Sequence, residues 1–553
     1  MLENIKKLDP VSLEIYWNRL ISICDQGAAN LERSAFSTII RESNDYTVVL
    51  LDEKGNSLAE NRGTVGAFAG CLPRTAKKII EIFPLESWSP GDIVITNDPW
   101  IGTGHRPDVT LISPIFFKTK LIGFTGNIGH WADIGGSIFS ADTRSVFEEG
   151  IGLPPMKIAD KGKLDKKLVE LIKYNVRLPD MVLGDLFAQI STIEICCELV
   201  IKFVKQSGFT DLSLLSKAIM HRAEKAMQAA ILQVPNGKYN SAVTLDGYDY
   251  PLKINCTIDV TDSKITVDYS GTSEEITQGS TNVVLTYAIA WTCYTLKCIL
   301  DPYTLRNEGS YKPIYTKAPL GSILNCRYPS PVNARHLMGR CISSAVMMAL
   351  AQVLPNKVIA ECGSTPDLTA VFEGIDKNEN PFSFVMMASG GMGASSEADG
   401  LTCTPFPQNI SPASIEIMEA ITPLIVWERE IRIDSGGDGK YRGGCGQEII
   451  VENLSNMPVN LSLIAERTKI PAKGLFGGDS GDPIAIINLD KNQFLPTKGR
   501  VKLMPNEIVK MSHGGGGGYG SSRNRDRNQI LIDLKNELIS DETAKNVYRF
   551  DII

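Results

Sequence analysis

Histidine is scarce in this chain, five among 553 residues, so the places where it occurs carry information. Other absences narrow the field further. The start, MLENIKKLDP, has neither the apolar core of a secretory signal nor a lipidation pattern. Twelve cysteines occur without one Cys-x-x-Cys pair, Cys196 and Cys197 being merely adjacent. That argues against a thiolate zinc site or a disulfide framework and for reduced thiols in the cytoplasm. Basic charge is not in excess. The net charge is −7 with a pI near 5.5, which disfavours nucleic acid and anionic membrane as partners. The longest apolar run, Val283 to Leu300, is broken by threonines, tyrosine and Lys297 and reads as a buried core helix rather than a membrane span. There is no Gly-x-Ser-x-Gly elbow and no phosphate loop ending in Lys-Ser/Thr, so the chain carries no ATP site of its own that its sequence reveals.

What is present is ordinary globular composition over several times the usual domain length. Val11 to Ser43 has helical periodicity, YTVVLLD is a strand leading into a hairpin, and Leu72 to Phe83 reads as a helix opened by Pro73. Residues 163–233 are mostly helical in pattern. After Pro235-Asn236-Gly237 alternating strands begin, followed by helices at 283–300 and 339–353. From Arg429 onward the chain is rich in glycine and strands. Helices followed by strands predict an α+β fold: a large multi-layer body with a helical N-terminal half and a strand-rich, Gly-rich C-terminal half. The expected division is 1–236, an α+β region carrying the candidate site, 237–428, a mixed middle region, and 429–553, the Gly-rich region.

Two of the five histidines lie in Asn97–Gly136, each three residues ahead of an aspartate: His105/Asp108 and His130/Asp133. Between them, VTLISPIF and LIGFTGNI flank the tight turn Lys118-Thr119-Lys120, an antiparallel hairpin. Residues facing each other in such a hairpin have a constant number sum. Asp108 with His130, and His105 with Asp133, both give 238. The two pairs are expected to meet at the open end. Imidazoles and carboxylates converging from loops suit Mn, Fe or Zn, with Asp98 as a further candidate. The alternative is that each aspartate caps a turn and each histidine merely hydrogen-bonds its neighbour.

Three further groups have competing readings. DSGGDG (434–439) and GDSGDP (478–483) imitate serine nucleophiles but read as turns. SGGMGASS (389–396) forms either packed loop or an anion-binding nest. In Pro331–His336, the amide of Asn333 and the guanidinium of Arg335 bind a substrate carboxylate or phosphate, or else form a solvated loop.

Several stretches in order, among them PGDIVITNDPWIGTGHRPDVTLISPIF, GHWADIGG, EEGIGLPPMKI, LGDLFAQI, PVNAR, RIDSGGDGKYRGG and GGGGGYG, resemble the hydantoinase B/oxoprolinase family from Asn4 to the C-terminus. That family includes N-methylhydantoinase second subunits, the C-terminal half of 5-oxoprolinases, and a large subunit of acetone and acetophenone carboxylases. The resemblance implies a manganese or zinc ion on His105, Asp108 and His130, with Asp98 and Asp133 as neighbours that orient a ligand or carry a proton. It also implies that ATP is used by a hydantoinase A-like partner of actin-like fold in a hetero-oligomer. The expected activity is ATP-dependent opening of a hydantoin, 5-oxoproline or lactam. A ketone carboxylase subunit and a non-catalytic scaffold are the alternatives. One departure stands out: Phe68 occupies the place where many relatives have histidine.

Overall fold

The structure is a computed structural model and describes residues 9–550 apart from residue 377. Helices and four sheets are interleaved among the described residues. The first sheet contains β1 (Tyr46–Leu51), β2 (Ser57–Glu60), β3 (Ile93–Thr96), β4 (Asp108–Phe117), β5 (Lys120–His130), β6 (Met156–Asp160) and β7 (Lys163–Leu164), in the order β2-β1-β5-β4-β3-β6-β7. All neighbouring strands in it are antiparallel. The N-terminal half is thus built on a sheet as much as on helices, which corrects the helical expectation. Four of its strands have only two to five residues, too few for an alternating pattern to register.

Helices cover both faces of this sheet. Helix α1 (Pro10–Ser34) is started by Asp9, whose carboxylate accepts from the N–H groups of Val11 and Ser12. With α3 (Pro179–Ser207) it packs on Val48 and Leu50 of β1, whereas α2 (Gly66–Ile82) packs on Val49 and Leu51 of the opposite face. Every residue of β1 is consequently buried, and the strand reads as a continuous apolar run. Helix α2 begins six residues ahead of the expected start at Leu72, and Pro73 lies inside it. Tertiary packing overrides the proline: a Cβ on Gly70 would lie 3.0 Å from Ala290 on α5 (Leu285–Leu300), so the two helices are in near-backbone contact. Helix α5 is the apolar run expected to be core. No helix among the described residues is long and apolar enough to cross a membrane.

Helix α4 (Ser213–Ile231) joins two layers, its Leu215 and Ile219 packing in the core beneath α1 and its Met227 and Ile231 in the core that contains α5. Helix α5, with α6 (Cys341–Leu350), covers a second sheet of β8 (Gly237–Leu245), β9 (Leu252–Thr261), β10 (Lys264–Asp268) and β11 (Ile314–Lys317). Two C-terminal sheets, of four and five strands, share one apolar core that includes Phe372, Leu461, Val451 and Met511.

Beside that core runs a rod of glycine. The N–H groups of Gly515 and Gly518 donate to the carbonyls of Asp482 and Asp479, that of Gly516 to Gly444, and that of Gly517 to Glu361, at 2.8–3.1 Å. A donor direction that recurs every third residue is the periodicity of an extended threefold helix, not of a sheet. A Cβ on Gly515 would lie 1.6 Å from the Ser435 carbonyl, and one on Gly391 would lie 1.7 Å from that of Gly444, so only glycine fits. The SGGMGASS segment is packed into this lattice.

Candidate metal centre and its pocket

The β4–β5 hairpin holds the register expected at its open end. Facing pairs run from Asp108–His130 to Ile115–Gly123 with the constant sum, and a bulge after Ile115 shifts only the last two pairs. Asp108 and His130 therefore close the strands side by side. His105 reaches them from the preceding loop, which Asn97 pins: its amide donates to the carbonyls of Arg106 and Ile151 and accepts from Leu153. In that loop Gly104 has φ +93°, and a side chain there would press on Val284 and Arg335.

The three side chains are buried, and one ligand atom from each lies within 4.8 Å of the others. His105 Nδ1 is 2.9 Å from the Asn333 carbonyl, an acceptor, so Nδ1 carries the proton and Nε2 presents a lone pair. That Nε2 lies 2.8 Å from Asp108 Oδ1 without making a hydrogen bond to it. Burial, reinforced by Arg335, lowers the His105 pKa to about 4, which keeps the imidazole neutral at physiological pH. Two acceptors facing each other this closely in a dry site repel unless a proton or a metal ion is shared between them. His130 Nδ1 joins at 3.0 Å from the same Asp108 oxygen. Two imidazoles and a carboxylate, with no thiolate, make a donor set suited to Mn, Fe or Zn. This buried group could therefore bind a metal ion.

The surroundings fix Asp108. Its Oδ2 accepts from Thr103 Oγ1 at 2.6 Å and from the Arg335 guanidinium. Burial alone would raise its pKa, but the Arg335 guanidinium and the hydrogen bond from His130 hold it well below the usual carboxylate range. Arg335 also donates to the Thr103 carbonyl at 2.8 Å and lies 4.4 Å from the centre of the Tyr287 ring. Asn333 contributes its backbone carbonyl to His105, and its N–H donates to Glu149. These two residues, expected to contact substrate, thus contact the candidate ligands.

Asp98 and Asp133 lie apart from the three candidate ligands. Asp98 accepts from the N–H of Trp100 at 2.9 Å and shapes the turn to Gly102. Asp133 binds the Arg177 guanidinium at 2.8 Å and accepts from the N–H groups of Arg177 and Leu178 at the start of α3. The second His-x-x-Asp pair therefore splits, with its histidine in the cluster and its aspartate at a helix start. Ser435 follows the turn at Ile433–Asp434, whereas Ser480 lies in an irregular stretch packed beside the glycine rod and not in the expected turn; Ser435 is fully buried, its Oγ donating to the Arg432 carbonyl at 2.6 Å and accepting from Gly446 at 2.9 Å.

Sequence reasoning missed Asp45. Its carbonyl accepts from His130 N–H at 3.1 Å, and its Oδ2 is 3.5 Å from His130 Nδ1. The β1–β5 register, Tyr46 opposite Gly129, puts it there, but that pairing is not a local hairpin and leaves no signal in sequence spacing. Burial raises the Asp45 pKa. Asp45, His105, His130, Arg335 and Phe68 line one narrow cavity of about 20 Å³, together with Trp291, His336, Arg340 and Gln408. Phe139 is wedged there, its ring 5.6–5.8 Å from those of His105, His130 and His336. The aromatic ring of Phe68 makes this part of the wall apolar.

A sequence profile described as Hydantoinase B/oxoprolinase matches residues 9–522. Over 571 aligned positions the chain is 31% identical to a protein of Pseudomonas sp. (strain NS671), provisionally named as the B-type subunit of a D-/L-hydantoinase, covering 98% of this chain and 95% of that one. The ATP-dependent caprolactamase from Pseudomonas jessenii superposes with a TM-score of 0.91 at 23% identity, covering 99% of this chain and 97% of that one. A nucleotide-free acetone carboxylase gives 0.89 at 18%, covering 98% and 80%. At these identities the two structural likenesses speak for a shared fold alone.

Proposed function

The chain belongs to the hydantoinase B/oxoprolinase family, and on that premise we propose that it is the ring-opening subunit of an ATP-dependent cyclic-amide hydrolase. Its substrate class is a hydantoin, 5-oxoproline or lactam. The observation that carries the reading is the pair of facing acceptors, His105 Nε2 and Asp108 Oδ1, which a metal ion at the head of a narrow buried cavity would relieve. A transition metal bound there supplies Lewis acidity toward a carbonyl and lowers the pKa of water.

The chain's own residues do the rest. Asn333 holds His105 in one tautomer through its carbonyl. Arg335 and Thr103 fix the Asp108 carboxylate. Asp45, beside His130 and biased toward its protonated form, is placed to take up and return a proton, in place of the expected Asp98 and Asp133. Phe68 and Phe139 exclude water from the reacting bond. An unstrained amide is a poor electrophile, so activation by phosphorylation falls to a separate ATP-using partner. The subunit naming of the 31%-identical relative supports that division.

The test measures ATP turnover and ring opening for this chain alone and with its co-purified partner. The lone chain is expected to do neither, and the partner to restore both together. ATP-dependent ring opening by rigorously partner-free chain would refute the division of labour, and bicarbonate-dependent ATP turnover on a ketone would replace the hydrolase with a carboxylase.

A further inference from the structure

Away from the metal centre, α3 does not lie flat on the first sheet. Where it passes β3, β4 and the β6–β7 edge, a trough of about 500 Å³ stays open between helix and sheet. That volume is in the range of small-molecule sites. The helix side of the trough is a stripe of residues three and four apart: Phe187, Ile190, Glu194, Cys197, Glu198 and Ile201. The sheet side is apolar, with Ile93, Phe116 and Leu164. Nothing covers the stripe, and Phe187 is 45% exposed.

Two positions on that stripe break its apolar pattern. Glu194 and Glu198 stand one helical turn apart, both exposed, and neither has a hydrogen bond or ion pair among the described residues. Like charges at that spacing weaken a helix, so the pair is a cost to α3 on its own. No lysine, arginine or histidine lines the trough to offset it. The remaining polar side chains there are committed: Ser113 Oγ donates to the Asp92 carbonyl at 2.7 Å, and Cys197 Sγ rests 4.0 Å from the Pro114 carbonyl. The trough is therefore an apolar slot with two uncompensated carboxylates, which repels anions and matches an apolar body carrying a cation. Its shape narrows the choice further. From Phe187 to Ile201 the helix rises about 21 Å. A volume of about 500 Å³ spread along that length leaves a channel narrower than an α-helix with its side chains, about 10–12 Å. A small molecule fits where a partner helix does not.

We propose that this trough is a second binding site, for a small amphiphilic cation: a primary ammonium on an alkyl or aryl body. The ammonium is held between Glu194 and Glu198, and the body lies on Ile190, Ile201 and Phe116. Burial of the body supplies the affinity, and the carboxylates select the charge. The trough shares no lining residue with the cavity at the histidines, so the proposal stands whether or not the chain opens a cyclic amide.

The test is titration calorimetry on the full chain at low salt with four probes: n-octylammonium, n-hexylammonium, 1-octanol and octanoate. Octylammonium should saturate a single site per chain. It should bind about tenfold or more tighter than hexylammonium, which has two methylenes fewer to bury. It should bind about fivefold or more tighter than 1-octanol, with octanoate the weakest of the eight-carbon probes. Replacing both carboxylates, Glu194→Gln with Glu198→Gln, should bring octylammonium level with 1-octanol while the dependence on chain length survives. Raising NaCl to about 0.5 M should do the same to the unmodified chain, because exposed carboxylates are screened. The probe and salt comparisons on the unmodified chain stand even if the double variant folds poorly. No saturable binding, many equivalent sites per chain, octanoate bound as tightly as octylammonium, or a cation preference that persists in the folded double variant overturns the proposal.

Discussion

Replacing Arg335 with methionine distinguishes a positioning role from substrate contact. The guanidinium is buried and holds Asp108 Oδ2 and the Thr103 carbonyl while stacked near Tyr287. Arg335→Met leaves the Asp108 carboxylate buried without its counter-charge, which costs about 3–5 kcal/mol. Unfolding entropy of about 2.1 cal/mol/K per residue gives about 1.2 kcal/mol/K for a 553-residue chain melting as one unit. The metal-free variant should therefore melt about 2.5–4 °C below the unmodified chain. A divalent cation beside Asp108 supplies part of the missing charge, so saturating Mn or Zn should raise the Tm of the variant more than that of the parent. Differential scanning calorimetry on chelator-stripped and metal-loaded samples reads both quantities. If the variant melts with the parent in both states and only the KM for the ring rises, Arg335 is a substrate ligand and the positioning argument fails.

Three further outcomes follow from the same geometry. His105→Ala and His130→Ala should each lose the roughly one transition metal ion per chain expected of this donor set, measured by elemental analysis with the fold checked by circular dichroism; full occupancy in the double variant would sink the assignment. Ser435→Ala should leave ring opening by the complex within a few-fold, yet destabilise the chain by about 1–3 kcal/mol because the buried N–H of Gly446 loses its acceptor. Ser480→Ala should be near-silent in both, and a loss of several orders of magnitude in activity for either serine would point to an acyl-enzyme instead. Burial raises the Glu149 pKa from 4.5 to about 7, so between those values the folded chain keeps a proton that the unfolded chain has released, and stability falls as pH rises. Glu149→Gln preserves the accepting oxygen and removes that loss, up to about 3 kcal/mol, so its Tm should exceed the parent's at pH 8 and converge with it near pH 4.5; parallel Tm–pH curves would contradict the buried-acid assignment.

Local chemistry made part of this site readable in advance. Asp108 and His130 share one hairpin, and arithmetic on residue numbers was enough to set them face to face. His105 was readable because it lies on the loop entering the same hairpin. Asp133 misled because the mirror symmetry of a hairpin ends with its hydrogen bonds; past His130 the chain turns, and the start of α3 claims the carboxylate. Asp45, Arg340 and Gln408 come from segments joined only through the β1–β5 pairing and the packing of α5 and α6, relations with no fixed spacing. The second sheet was legible because β9 alternates buried and exposed residues, as LKINCTIDVT suggests, whereas the first sheet is covered on both faces and lost that signature.

The glycine rod gives one region of this protein an unusual thermal character. Around Gly515–Gly518 the nearest neighbours are peptide groups rather than side chains. Exposing apolar surface raises the heat capacity of unfolding by about 0.45 cal/K/mol per Å², whereas exposing polar surface lowers it by about 0.26. Opening the lattice should therefore carry a smaller heat-capacity change per residue than opening the aliphatic layers against α1 and α5. Its local free energy of opening, followed by amide hydrogen exchange across temperature, should trace a flatter curve. On cooling, the lattice should hold where the hydrophobic layers begin to loosen, keeping the segment from Glu361 to Asp367, and with it the partner of Arg340, in place.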